Sequence, residues 1–377
     1  MDGLSRLKLS MATAAMLLFL VFCFFLAIPL YIVPFLLGIG FLIHPLYVVA
    51  FILILFLIQF LTGPWIVKRS TKLRYLQPAE NPWLENIVKK LSDRSDISMP
   101  RLAIVTDDAP NAFVFGRTKK GATLVFNEGL LTNLSGEEIE GVIGHELGHL
   151  KHNDCAVMTT LAAIPILIYA IFMMLVNAAF SPSSSSSSKD SSIIGNIIGQ
   201  IIGRILILIA ALFPLLFYAL SLLSLRSLSR EREHYADAYS AYLTQSPRKL
   251  QSALTKITYG LSLNPKPKSD FGIRTFYIGD PAAAKKEFEG ITERKEKYDL
   301  DRDGVLDERE LELAMDEEEK QLEGGGRTFN YLQRGWRKIN LSFSTHPRTY
   351  ERILLLKEIE NEMASGDYTD KRVYKHI

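Results

Sequence analysis

The segment Ser135-Gly136-Glu137-Glu138-Ile139-Glu140-Gly141-Val142-Ile143-Gly144-His145-Glu146-Leu147-Gly148-His149 predicts one helix and a metal site on its side. Ser135 and Glu138 stand at capping-box spacing, which satisfies two amide donors left open at a helix start. Ile139, Val142, Ile143, Leu147 and Leu150 follow at helical intervals and supply an apolar face. His145 and His149 are four residues apart, so both imidazoles leave the same side of the helix and can share one metal ion. Glu146, between them, is placed to lie beside a water at that metal and take its proton.

Outward from this helix the chain alternates between polar blocks and long apolar runs. Its 377 residues, 48% of them hydrophobic, have a mean hydropathy of +0.12, high for a soluble protein and low for one wholly in lipid. The apolar residues concentrate in four runs: Met11 to about Val33, Pro45 to about Val67, Cys155 to about Ala179, and Ile193 to about Leu225. The last carries one charge, Arg204, and is expected to hold a span over its second half. Each run is long enough to cross a hydrocarbon layer of about 30 Å. The first is too long for a signal peptide, and a second run follows directly.

Charge placement predicts the orientation. Arg6 and Lys8 precede the first run; Lys68, Arg69, Lys72 and Arg74 follow the second. Lys151 precedes the third, and Arg226, Arg230 and Arg232 follow the fourth. The opposite side carries only Lys189 with Asp190, in the serine tract 181–192, which reads as a flexible external loop. The positive-inside rule therefore puts both termini and the polar blocks in the cytoplasm. The net charge of +2 marks no nucleic-acid patch. Cys23 and Cys155 fall in or at the edge of the apolar runs and predict no disulfide. The Asn133 and Asn340 sequons lie on the cytoplasmic side and should stay unglycosylated.

A catalytic zinc needs a third protein ligand and one open position. The metzincin pattern would require glycine three residues and histidine six residues after His149; those positions hold His152 and Cys155. A glutamate from a later helix is the other solution, and the helical stretch from Ser229 to Tyr239 offers Glu231 and Glu233. Only Glu233 has an acidic neighbour four residues on, Asp237, on the same face. That spacing lets Glu233 bind metal while Asp237 accepts a hydrogen bond from a ligand histidine.

His145-Glu146-x-x-His149, two apolar spans, Arg232-Glu233-x-x-Ala236-Asp237, and Ser344-Thr345-His346-Pro347 before Arg352-Ile353 follow one another in the order of a known family. The chain resembles the HtpX-type membrane zinc metalloproteases, relatives of the CAAX prenyl endopeptidases, over nearly its whole length. The resemblance implies zinc ligands His145, His149 and Glu233, base Glu146 and supporting Asp237. It further implies that His346 faces the active site and stabilises an oxyanion, and that Asn111, Ala112 and Phe113 belong to a substrate-facing strand. Its role in membrane protein quality control implies unfolded or membrane proteins as substrates. Strands are expected over Arg101–Thr106, Ala112–Gly116 and Ala122–Phe126, with an exposed edge able to add substrate as a further strand.

A second metal signal departs from that family. Asp299, Asp301, Asp303, Val305, Asp307 and Glu310 occupy the ligand positions of a twelve-residue EF-hand calcium loop, with Gly304 at the sharp turn. Leu311, Ala314 and Met315 support the outgoing helix, whereas Arg294 and Lys295 stand where the incoming helix usually has apolar residues. No second hand is visible. The segment at about 281–326 reads as an insertion ending in Gly324-Gly325-Gly326, where calcium would either order the arm bearing His346 and modulate activity or act as a purely local staple.

The expected architecture is a multi-pass α-helical membrane protein with a cytoplasmic α+β gluzincin-type metalloprotease domain. Residues 1–67 give two spans and 68–153 the first part of the protease with the HExxH helix. Residues 154–225 give two further spans, and 226–377 complete the protease and carry the insertion. The expected activity is zinc-dependent cleavage of unfolded or membrane proteins at the cytoplasmic face of a cell or inner membrane, modulated by calcium. Two rivals are a prenyl-protein endopeptidase, which has more spans enclosing a chamber, and a calcium-binding membrane scaffold without turnover. The intact Glu146 argues against the scaffold.

Overall fold

The computed structural model describes residues 3–28, 45–152, 154, 163–181, 193–263 and 347–366, with 278, 284–285, 291, 295–301, 306, 309–311, 313–317, 368 and 373. The chain divides into two units: residues 1–12, 60–159 and 226–377 form the first, and 13–59 with 160–225 the second.

In the first unit, a four-stranded sheet is built from β1 (Arg74–Tyr75), β2 (Arg101–Val105), β3 (Ala112–Phe115) and β4 (Thr123–Asn127), in the order β1-β2-β4-β3. β2 and β4 are parallel; the outer pairs are antiparallel, which leaves β3 at an edge. The alternation expected of strands is present. Ala112, Val114, Leu124 and Phe126 join the main core, while Phe113, Phe115 and Val125 pack with Val67, Leu73 and Ala103 on the opposite face. The three strands expected from sequence lie within a residue of their places; the two-residue β1 is too short to leave a periodic signal.

The Gly136–Lys151 helix starts at the expected capping box: Ser135 N donates to Glu138 Oε2 at 2.7 Å and Glu138 N to Ser135 Oγ at 3.4 Å. Its apolar face, Ile139, Val142, Ile143, Leu147 and Leu150, packs with Leu84, Val88 and Leu91 of helix Pro82–Ser95 and Leu250, Leu254 and Ile257 of helix Pro247–Leu263. Burying each such side chain contributes about 1.5–3 kcal/mol. Two glycines set the approach of its other neighbour, the C-terminal part of helix Ile193–Thr244. A Cβ on Gly144 would meet Ser240 Oγ at 2.8 Å, and one on Gly148 would meet Ala236 Cα at 3.0 Å. The segment Ser229–Tyr239, expected as a helix, is thus the last stretch of one 52-residue helix.

In the second unit the described helices are parts of Gly3–Ala27, Pro45–Thr71, Ala163–Phe180 and Ile193–Thr244. Phe25 stacks on Phe213 with centroids 5.3 Å apart, and Phe213 lies 4.9 Å from Phe217. Among the described residues, one helix is long and apolar enough to cross a membrane, Ile198–Ser221, and Ile168–Phe180 is a shorter apolar helix. The apolar stretch Ile198–Ser221 includes Arg204 and reaches into both halves of the fourth run. The serine tract from 182 onward lies outside the described residues.

Candidate active site

Three elements of the first unit converge on His145. The Gly136–Lys151 helix brings His145 and His149, whose Nε2 atoms face each other at 3.2 Å. The Ile193–Thr244 helix brings Glu233, with Oε2 3.4 Å from His145 Nε2 and Oε1 3.6 Å from His149 Nε2. All three side chains are buried, and their donor atoms lie within 4.8 Å of one another. Two imidazoles and a carboxylate are the protein donor set of a hydrolytic zinc. The spacing also suits that ion, since a tetrahedron with bonds of about 2.05 Å has edges of about 3.3 Å.

The rear of each imidazole is held. His145 Nδ1 lies 2.9 Å from Asp237 Oδ1, and Arg352 of helix Thr349–Ala364 grips the same carboxylate with two bonds, Nε to Oδ2 at 2.8 Å and Nη2 to Oδ1 at 2.6 Å. His149 Nδ1 lies 3.0 Å from Asp154 Oδ2, beside Arg232 Nε at 3.1 Å. A carboxylate at Nδ1 fixes that nitrogen as the proton carrier and turns the Nε2 lone pair toward the metal position.

Charge follows from this arrangement. Burial disfavours a charged His145, but the Asp237 and Glu233 carboxylates outweigh it and raise the imidazole to about 9. His149 is lowered, because burial wins there over Asp154. Burial also pushes the Glu146 carboxyl up to about 8; His145 opposes the rise, Glu233 adds to it, and the Val114 backbone N–H and Arg352 oppose it. Asp237 stays below the ordinary carboxylate range although buried, because Arg352 sits beside it.

Comparison with known sequences settles the family: residues 78–360 match the model of peptidase family M48. The chain belongs to peptidase family M48. Membership supports a membrane metallopeptidase. Among M48 relatives, a "Protease HtpX homolog" of Methanothermobacter thermautotrophicus is 35% identical over 258 residues, 68% of this chain and 88% of that protein. A homologue of the same description from Methanocaldococcus jannaschii is 33% identical over 218 residues, 57% of this chain and 72% of its own length. One from Thermodesulfovibrio yellowstonii is 37% identical over 207 residues, covering 55% and 68%. Among solved structures, Ste24p of S. mikatae matches 68% of this chain and 57% of its own at 20% identity, with a TM-score of 0.36.

Of the residues singled out in the M48 chain from sequence, His145, His149, Glu233 and Asp237 come together, and Glu146 is buried on the same helix. Asn111, Ala112 and Phe113 are buried at the start of β3; Asn111 Oδ1 accepts from Ile278 N at 2.9 Å. Its Nδ2 has no hydrogen-bond partner among the described residues. His346 lies outside the described residues. Sequence reasoning gave no role to Arg352 and missed Asp154 altogether. Arg352 lay in plain view within the third motif, but its partner is 115 residues away. Asp154, three positions past the helix end, has no periodicity to mark it.

The residues expected to form a calcium loop divide in the same way. Carboxylates of Asp299, Asp301 and Glu310 gather within 4.8 Å, while Asp303, Val305 and Asp307 lie outside the described residues. Glu310 Oε1 accepts the backbone N–H of Leu300 at 2.5 Å and of Asp301 at 3.3 Å. Ile291 and Tyr298 supply the apolar positions missing from the expected incoming helix, packing with Leu306, Leu311, Ala314, Met315 and Ile353.

Proposed function

We propose that this chain is a multi-pass membrane zinc endopeptidase that cuts unfolded or misfolded proteins, membrane proteins included, at the cytoplasmic face. The buried His145, His149 and Glu233 triad carries the reading. Zinc held by these three residues would supply Lewis-acid polarisation of the scissile carbonyl and a more acidic attacking water. Glu146 takes the proton from that water and returns it to the leaving amine. Burial raises its carboxyl to about 8, and a dication nearby would act in the opposite sense and favour the ionised base. His346 would stabilise the oxyanion.

β3 supports binding of an extended substrate. It is the edge strand beside the base, and Val114 within it gives its N–H to Glu146. Main-chain pairing of this kind selects unfolded segments rather than side-chain sequences. Basic residues flanking the apolar runs favour cytoplasmic sidedness.

The experiment is casein cleavage by detergent-purified protein reconstituted with zinc, beside Glu146→Gln. The substitution should retain zinc and lose at least about 100-fold in rate. Equal rates would remove Glu146 from its role. No cleavage by the zinc-loaded parent would turn the reading toward a narrow-specificity prenyl-protein endopeptidase.

The proposal includes calcium at the loop from Asp299 to Glu310 as a modulator, since that loop's apolar cluster contains Ile353, the neighbour of Arg352. Cleavage rates should then differ between calcium and a calcium-selective chelator at constant free zinc. Identical rates would reduce the loop to a local staple.

A further inference from the structure

Asp154 is fully buried, carries no part of the M48 motifs recognised in the sequence, and touches the site at one atom. Its Oδ2 lies 3.0 Å from His149 Nδ1 and 3.1 Å from Arg232 Nε. We infer that Asp154, with Arg232 behind it, is a positioning residue that holds His149 for metal as Asp237 and Arg352 hold His145. The inference rests on the zinc reading of the triad.

Chain geometry explains how the pair arises. The Gly136–Lys151 helix is capped at His152, and Asp154, five positions after His149, places its carboxylate against that imidazole. A carboxylate with no exposure needs a countercharge or it would cost several kcal/mol to keep ionised. Arg232, itself 5% exposed, supplies that charge. Arg232 is also the sequence neighbour of Glu233, so one turn of helix delivers both the third ligand and the counterion. With Nδ1–H donating to Asp154, His149 has only its Nε2 lone pair to offer, and that lone pair faces His145 Nε2 and Glu233. Without Asp154 the ring is free to carry its proton on Nε2, the state that cannot bind metal.

A mere structural ion pair, pinning the helix end, would alter unfolding but not the affinity of folded protein for zinc. The test therefore measures zinc dissociation constants by competition with a chromogenic chelator, and the visible spectrum of the cobalt-substituted protein. It compares the parent, Asp154→Asn, and the double variant Asp154→Ala/Arg232→Met. The double variant removes both charges and so leaves no lone buried ion to unfold the chain; it decides the question if Asp154→Asn does not fold. Folded variants should bind zinc roughly 10–100-fold more weakly, with a shifted cobalt spectrum. Zinc affinity within twofold of the parent and an unchanged cobalt spectrum would overturn the inference while leaving the triad's zinc intact. A parent that binds no zinc would overturn the zinc reading itself, and the inference with it.

Discussion

His145 shows how much chemistry a single side chain inherits from its neighbours. Its folded pKa of about 9 stands above the ordinary histidine value, so its charged form stabilises the metal-free protein fully below about pH 6.5. That contribution is lost as pH rises through about 9. Zinc requires the neutral ring, so metal and proton compete for it. Loading the metal-free protein at pH 7.5 should release protons, and zinc affinity should rise with pH up to about 9. Calorimetry in two buffers of different ionisation enthalpy checks this; equal apparent enthalpies would mean that His145 is already neutral. Arg352 makes the complementary point. Fully buried and doubly bonded to Asp237, it should not tolerate Arg352→Lys, because an ammonium cannot reproduce the two-bond fork. We expect zinc binding in that variant to weaken at least tenfold, measured by chelator competition.

At the scale of the element, the HExxH helix is fixed at its start by Glu138 and along its side by glycine. Burial opposes ionisation of Glu138, but Lys256, Ser252 and the Ser135 N–H outweigh it and lower its pKa. A depressed carboxylate contributes stability above its unfolded pKa and loses it as pH falls through the folded one. Glu138→Gln should therefore cost about 1 kcal/mol or more at pH 7, with the difference closing on acidification below the usual carboxylate range. Unfolding midpoints across pH measure it, and a pH-independent difference would assign the loss to packing instead. Gly148 acts differently. An alanine there must push away the Ala236 backbone, and with it Glu233 and Asp237 on the same helix. Gly148→Ala should destabilise by about 1–3 kcal/mol and weaken zinc binding, whereas Gly203→Ala, which meets nothing within 4 Å, should leave zinc binding unchanged.

At the scale of the whole molecule, the two contact units follow the alternation of apolar and polar blocks along the chain: residues 13–59 and 160–225 against the rest. If the basic flanks set the orientation, protease added to inverted vesicles should cut the block from 226 onward, and added to right-side-out vesicles should reach only the serine tract. The reverse pattern would overturn the cytoplasmic assignment. The sequence by itself determined what local spacing can encode. The capping box Ser135–Glu138, the shared face of His145 and His149, the i, i+4 pair Glu233 and Asp237, and the strands around β3 all depend on residues within one turn or one pleat of each other. Only the tertiary structure decided which distant groups neutralise one another. Arg352 reaches Asp237 across 115 positions, and Ile278 reaches Asn111 across 167. Asp154, past the end of the HExxH helix, meets Arg232 of the Ile193–Thr244 helix behind His149. Such pairs carry no period, because a buried charge needs a partner close in space and places no condition on where that partner lies in the chain.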